Sequence, residues 1–304
     1  YAILFQMDAR SLRHFVNLAD CLHFGRASEA SHISPSALSR SIRRLEEEAG
    51  ATLFERNNRS VSLTHAGQLF LDYARNALGE WDGIRNRLME EAGELRGEVS
   101  MYCSVTASYS FLFDLLARFR KDHPRIEIKL HTGDPEEAVG RVLAGSEDIA
   151  IGARPDALPA GLAFRRITVS PLVFIAAAGG DFSALGSGRA ARAADWAGVP
   201  VILSERGVAR ERIDAWFRSL GLAPNVYAQV AGNEAIVSMV SLGFGIGLVP
   251  QIVLDNSPLA RTVRSLDVQP ALAPYEVGLF ALEKRLASPL IGAFWSSAGG
   301  AAAG

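Results

Sequence analysis

The chain has 304 residues, 49% of them hydrophobic and 21% charged, and its formal net charge is −2. This length and balance exclude a single small module and an intrinsically disordered chain, and they predict a globular protein of two or more domains. With 31 basic against 33 acidic residues, there is no overall positive charge to attract nucleic acid, so any DNA contact must be local.

The ends of the sequence and its cysteines favour a cytoplasmic protein. Residues 1–6 lack the basic start and long apolar stretch of a signal peptide, and we interpret them as an expression remnant before Met7. No run approaches the roughly 20 apolar residues that a membrane-spanning helix needs. We expect Gly299–Gly304 to be disordered or added to the natural chain. Cys21 and Cys103 suggest neither a disulfide framework nor a zinc site.

Residues 7–64 show short helical periods separated by turns, which predicts a small helical domain. Ser34 and Pro35 open one of these helices, because a serine hydroxyl can cap free amides and proline at the first helical position loses no hydrogen bond. The small residues Ala27 and Ala30 in the preceding helix permit close approach. Two short helices joined in this way predict a helix-turn-helix.

The two faces of the helix after Ser34 differ in chemistry. Leu38, Ile42 and Leu45 recur at helical spacing and predict the buried face. The opposite face carries short hydroxyls and guanidinium groups, which suit phosphates and base edges in a major groove. The predicted DNA-contacting residues are Ser34, Pro35, Ser36, Ser39, Arg40 and Arg43. On spacing alone a solvated face is an equal alternative, because Glu46–Glu48 follow directly and would repel phosphate.

A second basic element follows this helix. Asn57 and Asn58 form a turn between apolar flanks, which predicts a hairpin or wing. Arg56 and Arg59 lie near its tip and would reach the phosphate backbone or the minor groove. Thr64 is then placed to cap the next helix.

From residue 65 to about residue 89 the pattern indicates one helix, roughly 40 Å long at the usual rise per residue. Its apolar residues alternate spacings of four and three, as in a coiled-coil seam. The predicted dimerisation residues are Phe70, Ala74, Ala77, Trp81, Ile84 and Leu88. An ordinary amphipathic helix packed on its own domain is the alternative, because Gly79 and Gly83 weaken the helix.

Beyond a hinge-like break near residue 95, short apolar strands alternate with helical patterns. The predicted strands are Val99–Ser104, Ile126–His131, Ile149–Ile151, Val199–Leu203 and Val226–Val230. The predicted helices are Tyr109–Lys121, Pro135–Ala144, Val208–Leu220 and Glu234–Leu242. This alternation predicts two parallel sheets with helices on both faces, and a ligand crevice at the carboxyl ends of the strands.

Motifs along the whole chain resemble those of the LysR-type transcriptional regulators. In the first domain they are Leu12–Phe15, Phe24–Ala27, Ser34–Arg40, Arg43–Glu47, Leu53–Arg56 and Leu63–Gly67. In the second they are Gly145–Ile151 and Gly243–Pro250. One position departs from the family, because many members carry a large apolar residue where this chain has Ser31. We expect different packing and lower stability there.

The resemblance implies a multidomain α + α/β protein. Its parts would be a winged helix-turn-helix at 7–64, a linker and dimerisation helix at 65–93, and a two-lobed, periplasmic-binding-protein-like effector domain at 97–297. Lobe I is expected at 97–167 and 272–297, and lobe II at 168–271. The implied partners are double-stranded DNA with a pseudo-palindromic operator, RNA polymerase, and further copies of the chain in a homodimer or homotetramer.

A narrower resemblance is to the family's activators of isoleucine and valine biosynthesis. It is carried by Cys103–Ser110, Glu127–Asp134, Ile213–Arg218, Glu234–Val240 and Pro289–Trp295. It implies a sequence-specific activator that responds to an acetohydroxy acid effector, acetolactate or acetohydroxybutyrate.

Such an effector presents a carboxylate, a hydroxyl and a ketone, so its site should offer backbone amides and short hydroxyls. Thr106, Ser108 and the amide of Ala107 open a helix after the first strand, together with Ser104, where a carboxylate could bind. Helix capping without a ligand is the alternative.

Further candidates lie at the other strand-to-helix junctions. Across the cleft Arg206 could pair with the carboxylate, although a surface arginine is equally consistent with its position. The remaining candidates are Gly133, Glu136, Ser204, Asn233, Gly245 and Ile246. We expect Asp134 to cap a helix, and Asn233 has the same ambiguity.

The sequence predicts no metal site, no cofactor and no catalytic activity. Gly243-x-Gly245-x-Gly247 follows a helix and precedes a strand, the reverse of the order that cradles a dinucleotide. The six histidines show no metal spacing, and no Gly-x-Ser-x-Gly elbow is present. Two alternatives stay open: a LysR-type regulator with another small-acid effector and, second, a solute-binding protein, which leaves residues 7–90 unexplained.

Overall fold

The computed structural model describes residues 7–56, 60–91, 95–186 and 192–298. These residues form two compact units: the N-terminal unit comprises residues 7–91 together with Ala144–Ser146, and the C-terminal unit comprises the other described residues. In the ranges described, no helix has the length and apolar character to cross a membrane, and no three His, Cys, Asp or Glu residues group as metal ligands. The predictions for residues 1–6, for the turn at Asn57 and Asn58, for Arg59 and for Gly299–Gly304 lie outside the described residues.

The N-terminal unit contains four helices and one two-stranded sheet. In chain order these are α1 (Ala9–Cys21), α2 (Phe24–Ala30), α3 (Pro35–Ala49), β1 (Phe54–Arg56), β2 (Val61–Leu63) and α4 (His65–Glu91). The two strands are antiparallel, with Phe54 opposite Leu63, as expected of a wing. Thr64 caps α4 as predicted, because its hydroxyl accepts a hydrogen bond of 2.8 Å from the Gly67 amide.

The core of the N-terminal unit is built on the predicted buried face of α3. Leu38 and Ile42 are 0% exposed and Leu45 is 1% exposed, which confirms that prediction. Phe15 of α1 completes this core, with ring centroids 5.2 Å from Phe54 and 4.9 Å from Phe70. Burial of these apolar groups therefore fixes α3 by one face and leaves the other to solvent.

Ser31, the position that departs from the family pattern, ends α2. Its half-buried hydroxyl accepts a hydrogen bond of 3.0 Å from the side-chain amide of Asn17 on α1. A polar pair thus joins α1 and α2 at this position.

The predicted coiled-coil seam of α4 divides into two parts. Ala74 is 0% exposed, and Phe70 and Ala77 pack against the same core as Phe15. The dimerisation prediction is wrong for Ala74, which is fully buried in the unit's own core, and Phe70 and Ala77 are half-buried against that core. Trp81 (53% exposed), Ile84 (50%) and Leu88 (63%) remain on the surface.

The C-terminal unit holds ten strands among its described residues. They are β3 (Gly97–Cys103), β4 (Ile126–Thr132), β5 (Ile149–Ala153), β6 (Leu162–Ser170), β7 (Leu172–Ala177), β8 (Pro200–Ser204), β9 (Asn225–Val230), β10 (Ile246–Pro250), β11 (Val263–Leu266) and β12 (Tyr275–Leu282). The five predicted strands correspond to β3, β4, β5, β8 and β9, each within two residues at either end.

The helices of this unit alternate with the strands. They are α5 (Val105–Tyr109), α6 (Phe111–Asp122), α7 (Ala138–Leu143), α8 (Ala193–Trp196), α9 (Val208–Ser219), α10 (Asn233–Ser241), α11 (Gln251–Asp255) and α12 (Pro289–Ser297). The turns Pro135–Glu137, Asp181–Gly186 and Glu283–Ala287 are 3-10 helical. The predicted helix at Tyr109–Lys121 corresponds to α6, which begins two residues later because the backbone at Ser110 (φ −98°, ψ −121°) is not helical and separates it from α5.

Each lobe contains one five-stranded sheet. Lobe I has the strand order β4-β3-β5-β12-β6, and lobe II has the order β11-β7-β10-β8-β9. The prediction of parallel sheets holds for three strands of each lobe only, because β12 runs antiparallel to β5 and β6, and β7 antiparallel to β10 and β11. These antiparallel strands return the chain between the lobes.

The chain crosses between the lobes twice. The first crossing is at Pro171 rather than at the predicted Ile167–Thr168, because β6 stays paired with β12 as far as Ser170, opposite Tyr275. The second lies between β11 and β12, a stretch that includes the predicted Asp267–Ala271. Parallel strands β3, β5 and β8 therefore direct their carboxyl ends at one cleft between two lobes.

Candidate functional site

Helix α3 presents the predicted polar face to solvent. The Ser34 hydroxyl accepts a hydrogen bond of 3.2 Å from the Ala37 amide, and Pro35 is the first residue of the helix. Ser36, Arg40 and Arg43 are exposed and Ser39 is half-buried. Donors suited to phosphates and base edges are thus held along one side of a helix that is fixed by its other side.

The acidic residues after this face are engaged in the N-terminal unit itself. Glu46 accepts hydrogen bonds from the amides of Leu53 (2.9 Å) and Phe54 (3.1 Å). Glu48 pairs with Arg44 at 2.9 Å. Glu47 lies 3.5 Å from Arg43, with side chains 70% and 80% exposed, and a pair this exposed contributes little. The objection that these acids would repel DNA therefore applies mainly to Glu47.

Arg56 lies near the turn of the hairpin, as predicted, but its charge is paired within the N-terminal unit. Its guanidinium pairs with Glu46 at 2.8 Å and lies over the Phe24 ring, 5.2 Å from the centroid. The reason is that β1 runs beside the end of α3, where Glu46 also holds the strand's amides. Arg56 therefore presents a paired guanidinium near the turn of the wing, not a free cation.

The C-terminal unit has a cavity at the cleft, of about 400 Å³ counted to its open mouth. Four of the predicted effector-site residues line it: Ser104, Thr106, Ala107 and Asn233. The others that line it were not predicted and are mostly apolar: Phe111, Pro135, Ile151, Gly152, Ala153, Pro250, Ile252, Val253, Tyr275 and Val277. The cavity therefore suits a small ligand with an aliphatic part and few polar groups.

The start of α5 supplies the polar end of the cavity. Ser104 caps this helix, since its hydroxyl accepts a hydrogen bond of 3.2 Å from the Ala107 amide. Ser108 donates its hydroxyl to the Val105 carbonyl at 2.6 Å. The Ala107 amide thus makes the capping hydrogen bond that was the alternative to effector binding, although Ala107 lines the cavity. Thr106 keeps its amide and hydroxyl directed away from α5, towards Glu234 of lobe II.

Glu136 also contacts the opposite lobe, but beside the cavity. Its carboxylate accepts hydrogen bonds from the Val208 amide and from the Tyr275 hydroxyl. A β-carbon on Gly207 (φ +92°) would lie 1.6 Å from one of its oxygens, so this contact requires a glycine. Burial raises the pKa of Glu136 to about 7, and the neighbouring charge of Asp134 acts in the same direction.

Besides Ser108 and Glu136, five more predicted effector-site residues do not line the cavity. Gly133 packs against Tyr102, whose hydroxyl would lie 2.4 Å from an added β-carbon. Arg206 is 60% exposed and pairs with Glu137 at 3.6 Å. Ser204 ends β8 outside the lining, and Gly245 and Ile246 lie at the start of β10. Because β10 runs parallel to β8, its other end, at Pro250, reaches the cleft.

Of the two residues that could cap a helix, Asp134 does so and Asn233 does not. Asp134 caps the 3-10 turn that follows it, accepting a hydrogen bond of 3.1 Å from the Glu136 amide, as predicted. Asn233 is the first residue of α10, but its side chain makes no capping hydrogen bond. It is 7% exposed and faces the cavity, so its amide group remains able to bind a ligand.

Two of the missed lining residues carried a signal in the sequence. Gly152 and Ala153 directly continue the predicted strand Ile149–Ile151, so extending that strand to its carboxyl end would have found them. Tyr275 carried none, because β12 was not recognised and it enters lobe I from the second crossing.

Comparison with known proteins agrees with this architecture. Residues 9–68 match the family described as "Bacterial regulatory helix-turn-helix protein, lysR family", and residues 92–303 match "LysR substrate binding domain". The chain belongs to the LysR family of bacterial transcriptional regulators. It is 43% identical over 292 residues to the HTH-type transcriptional activator IlvY of Salmonella typhimurium, covering 95% of this chain and 98% of that protein.

Solved structures share the fold of the whole chain. Full-length OxyR from Pseudomonas aeruginosa superimposes with a TM-score of 0.71 at 21% identity, covering 96% of this chain and 95% of that one. Full-length CbnR in complex with its target DNA gives a TM-score of 0.63 at 23% identity, covering 97% and 100%.

Proposed function

We propose that this protein is a cytoplasmic activator of genes for isoleucine and valine biosynthesis, and that it is controlled by an acetohydroxy acid, acetolactate or acetohydroxybutyrate. The observation that carries the proposal is the 43% identity with IlvY over nearly the full length of both chains. A LysR-type regulator of another small-acid effector remains the second candidate, because the same cavity could hold other short carboxylic acids.

The DNA contact is assigned to the exposed face of α3. Ser36, Ser39, Arg40 and Arg43 would enter the major groove, where arginine can pair with guanine and short hydroxyls permit close approach. The exposed side chains support this assignment, and so does the internal pairing of Glu46 and Glu48.

The oligomer contact is assigned to the second half of α4. Trp81, Ile84 and Leu88 are at least half exposed, and large apolar side chains clustered on one helix mark an interaction surface. A homodimer through this surface would place two copies of α3 on a pseudo-palindromic operator, and two such dimers would make the tetramer. RNA polymerase is the partner that activation requires.

The effector is assigned to the cleft cavity. Its carboxylate would bind the amide and hydroxyl of Thr106, and its hydroxyl or ketone would meet the Asn233 side chain. The aliphatic groups would contact the apolar wall formed by residues such as Ile151 and Val277. No cofactor or catalytic step is part of this proposal.

DNA binding is tested by gel shift with the region upstream of the acetohydroxyacid isomeroreductase gene. We expect saturable binding that weakens as salt rises from about 50 to 200 mM, since phosphate contacts release counterions. Shuffled DNA of equal length is the control. Equal affinity for both DNAs would contradict the regulatory assignment.

The effector assignment is tested by calorimetry with acetolactate. We expect Thr106→Ala to weaken binding about tenfold, the usual effect of losing a hydrogen bond to a charged group. Ser108→Ala is the matched control, because the Ser108 hydroxyl is already donated to Val105. Unchanged binding by Thr106→Ala would contradict the carboxylate assignment.

A further inference from the structure

One side chain crosses the cleft to the donors of Thr106. Glu234 is the second residue of α10 in lobe II, while Thr106 belongs to α5 in lobe I. A single oxygen of the Glu234 carboxylate, Oε1, accepts hydrogen bonds from the Thr106 amide at 2.8 Å and from its hydroxyl at 2.5 Å. Both donors are therefore occupied by a carboxylate that belongs to the protein itself.

The position of Thr106 in the first turn of α5 explains why its donors can bind a partner in the other lobe. An amide in the first turn of a helix has no acceptor within that helix. Ser104 satisfies the Ala107 amide by capping, which leaves the Thr106 amide for another partner. Thr106 is only 3% exposed, so in the absence of a partner these donors would be buried without a hydrogen bond, which is costly.

Two further contacts link the same lobes nearby. Glu136 of lobe I accepts a hydrogen bond from the Val208 amide of lobe II. Arg206 of lobe II pairs with Glu137 of lobe I at 3.6 Å. The Glu234–Thr106 contact differs from both in one respect: Thr106 lines the cavity, whereas Glu136, Glu137, Arg206 and Val208 are outside its lining.

We propose that Glu234 is an internal carboxylate ligand that holds the two lobes together without effector, and that an effector carboxylate binds by displacing it from Thr106. This rests on the proposed function, because it takes Thr106 as the site of the effector carboxylate. Two carboxylates cannot share one donor pair, so the Glu234 contact must break as the effector enters. Effector binding is thereby coupled to the arrangement of the lobes.

The coupling has a measurable consequence for affinity. Effector binds only the fraction of molecules in which Thr106 is released, and apparent affinity falls in proportion to that fraction. Removing the Glu234 carboxylate should therefore strengthen effector binding, whereas a purely structural residue would weaken it on removal. We expect Glu234→Ala to bind acetolactate about tenfold more tightly than wild type.

The experiment compares wild type with the full-length variants Glu234→Ala, Glu234→Gln, Thr106→Ala and Glu205→Gln by calorimetry with acetolactate. Glu234→Gln keeps an oxygen that can accept both hydrogen bonds but removes the charge, so its affinity should lie between wild type and Glu234→Ala. If Glu234→Ala does not fold, Glu234→Gln still tests whether loss of the carboxylate strengthens effector binding. Glu205→Gln removes an exposed carboxylate on the same lobe and should bind like wild type.

Hydrogen exchange at the Thr106 amide supplies a second readout that needs no effector. We expect this amide to exchange slowly in wild type and at least tenfold faster in Glu234→Ala, since its acceptor has been removed. An unchanged exchange rate would overturn the proposal.

The outcomes separate the two proposals. If Thr106→Ala loses affinity but the Glu234 variants bind no more tightly than wild type, the effector site stands and the internal ligand is overturned. Because Thr106→Ala also removes a hydrogen bond to Glu234, the effector contact is judged without the Glu234 carboxylate. If a double variant, Glu234→Ala with Thr106→Ala, binds acetolactate like Glu234→Ala alone, the carboxylate assignment fails and the displacement falls with it. Tighter binding by both Glu234 variants, with weaker binding by Thr106→Ala, supports both.

Discussion

The two units of this chain hold their functional polar groups in different ways. On α3 the candidate DNA-contacting groups face solvent, and the nearest ion pair, Arg43 with Glu47, is almost fully exposed. In the cleft the candidate effector-binding donors are buried and already bonded, Thr106 to Glu234. The first surface can bind without rearrangement, whereas the second must exchange an internal partner for an external one.

This difference follows from where each site sits relative to its core. A helix that buries one face presents the other without further cost. A cleft between lobes removes water from every polar group that lines it, so each needs a partner in every state. Internal carboxylates such as Glu234 and Glu136 fill that need here.

The largest expected effect comes from removing the support of the exposed helix face. Ile42→Ala should lower the free energy of unfolding of the N-terminal unit by about 3 kcal/mol, because Ile42 is 0% exposed and truncation leaves a cavity. Urea unfolding followed by circular dichroism measures this. Met7→Ala, at an exposed position, is the control. A loss below about 1 kcal/mol would mean that burial on this face does not fix α3.

The second prediction tests whether burial of the Glu136 carboxylate beside the cavity lowers the free energy of unfolding. The pKa of Glu136 is raised to about 7 from the ordinary 4.5, so its ionisation costs more in the folded than in the unfolded protein. Stability should therefore fall as pH rises from about 4.5 to 7. Glu136→Gln should remove this loss and be more stable than wild type by about 2 kcal/mol at pH 8 and equally stable near pH 4.

The neighbouring residue supplies the control of opposite sign. The hydrogen bond from Arg141 lowers the pKa of Glu137, so its contribution is present above the ordinary pKa and is lost as pH falls through the lowered value. Glu137→Gln should thus destabilise the protein at pH 8. If both variants respond to pH in the same direction, the two carboxylates do not differ as the structure indicates. Urea midpoints at pH 4, 6 and 8 decide this.

The third effect concerns the exposed face itself. Arg40→Ala should weaken operator binding about tenfold and leave the unfolding midpoint unchanged, because its side chain is outside the core. Arg10→Ala, an exposed arginine on α1, is the matched control. Equal losses for Arg10→Ala and Arg40→Ala would indicate general electrostatic attraction rather than contact by α3. Gel-shift titrations at one fixed salt concentration measure both.

How well the sequence predicts each site depends on whether its residues lie close together in the chain. The α3 site is local: Ser34, Pro35 and the Leu38, Ile42, Leu45 period lie within twelve residues, and each was placed correctly. The cleft is not local. Glu234 meets Thr106 across 128 residues of sequence, and no period or motif near either residue indicates the other.

The errors have the same physical origin. Arg56 was expected to be free because the sequence does not show that Glu46 turns back to hold β1. Phe70, Ala74 and Ala77 were assigned to a dimer seam because a helical period shows which residues share a face, but not which neighbour covers it. The first lobe crossing was placed too early because β12, the partner that extends β6, was not recognised.

The smallest effect tests the one polar pair inside the helical domain. Ser31→Ala leaves the Asn17 amide without its 3.0 Å acceptor and should lower the unfolding free energy by about 1 kcal/mol. Asn17→Ala should cost a similar amount, and the double variant should cost less than the sum, because both changes remove the same bond. Strict additivity in urea unfolding would show that the pair contributes nothing. A coupling of at least about 0.5 kcal/mol would show that the Asn17–Ser31 hydrogen bond stabilises the N-terminal unit, whose candidate functional groups are otherwise exposed.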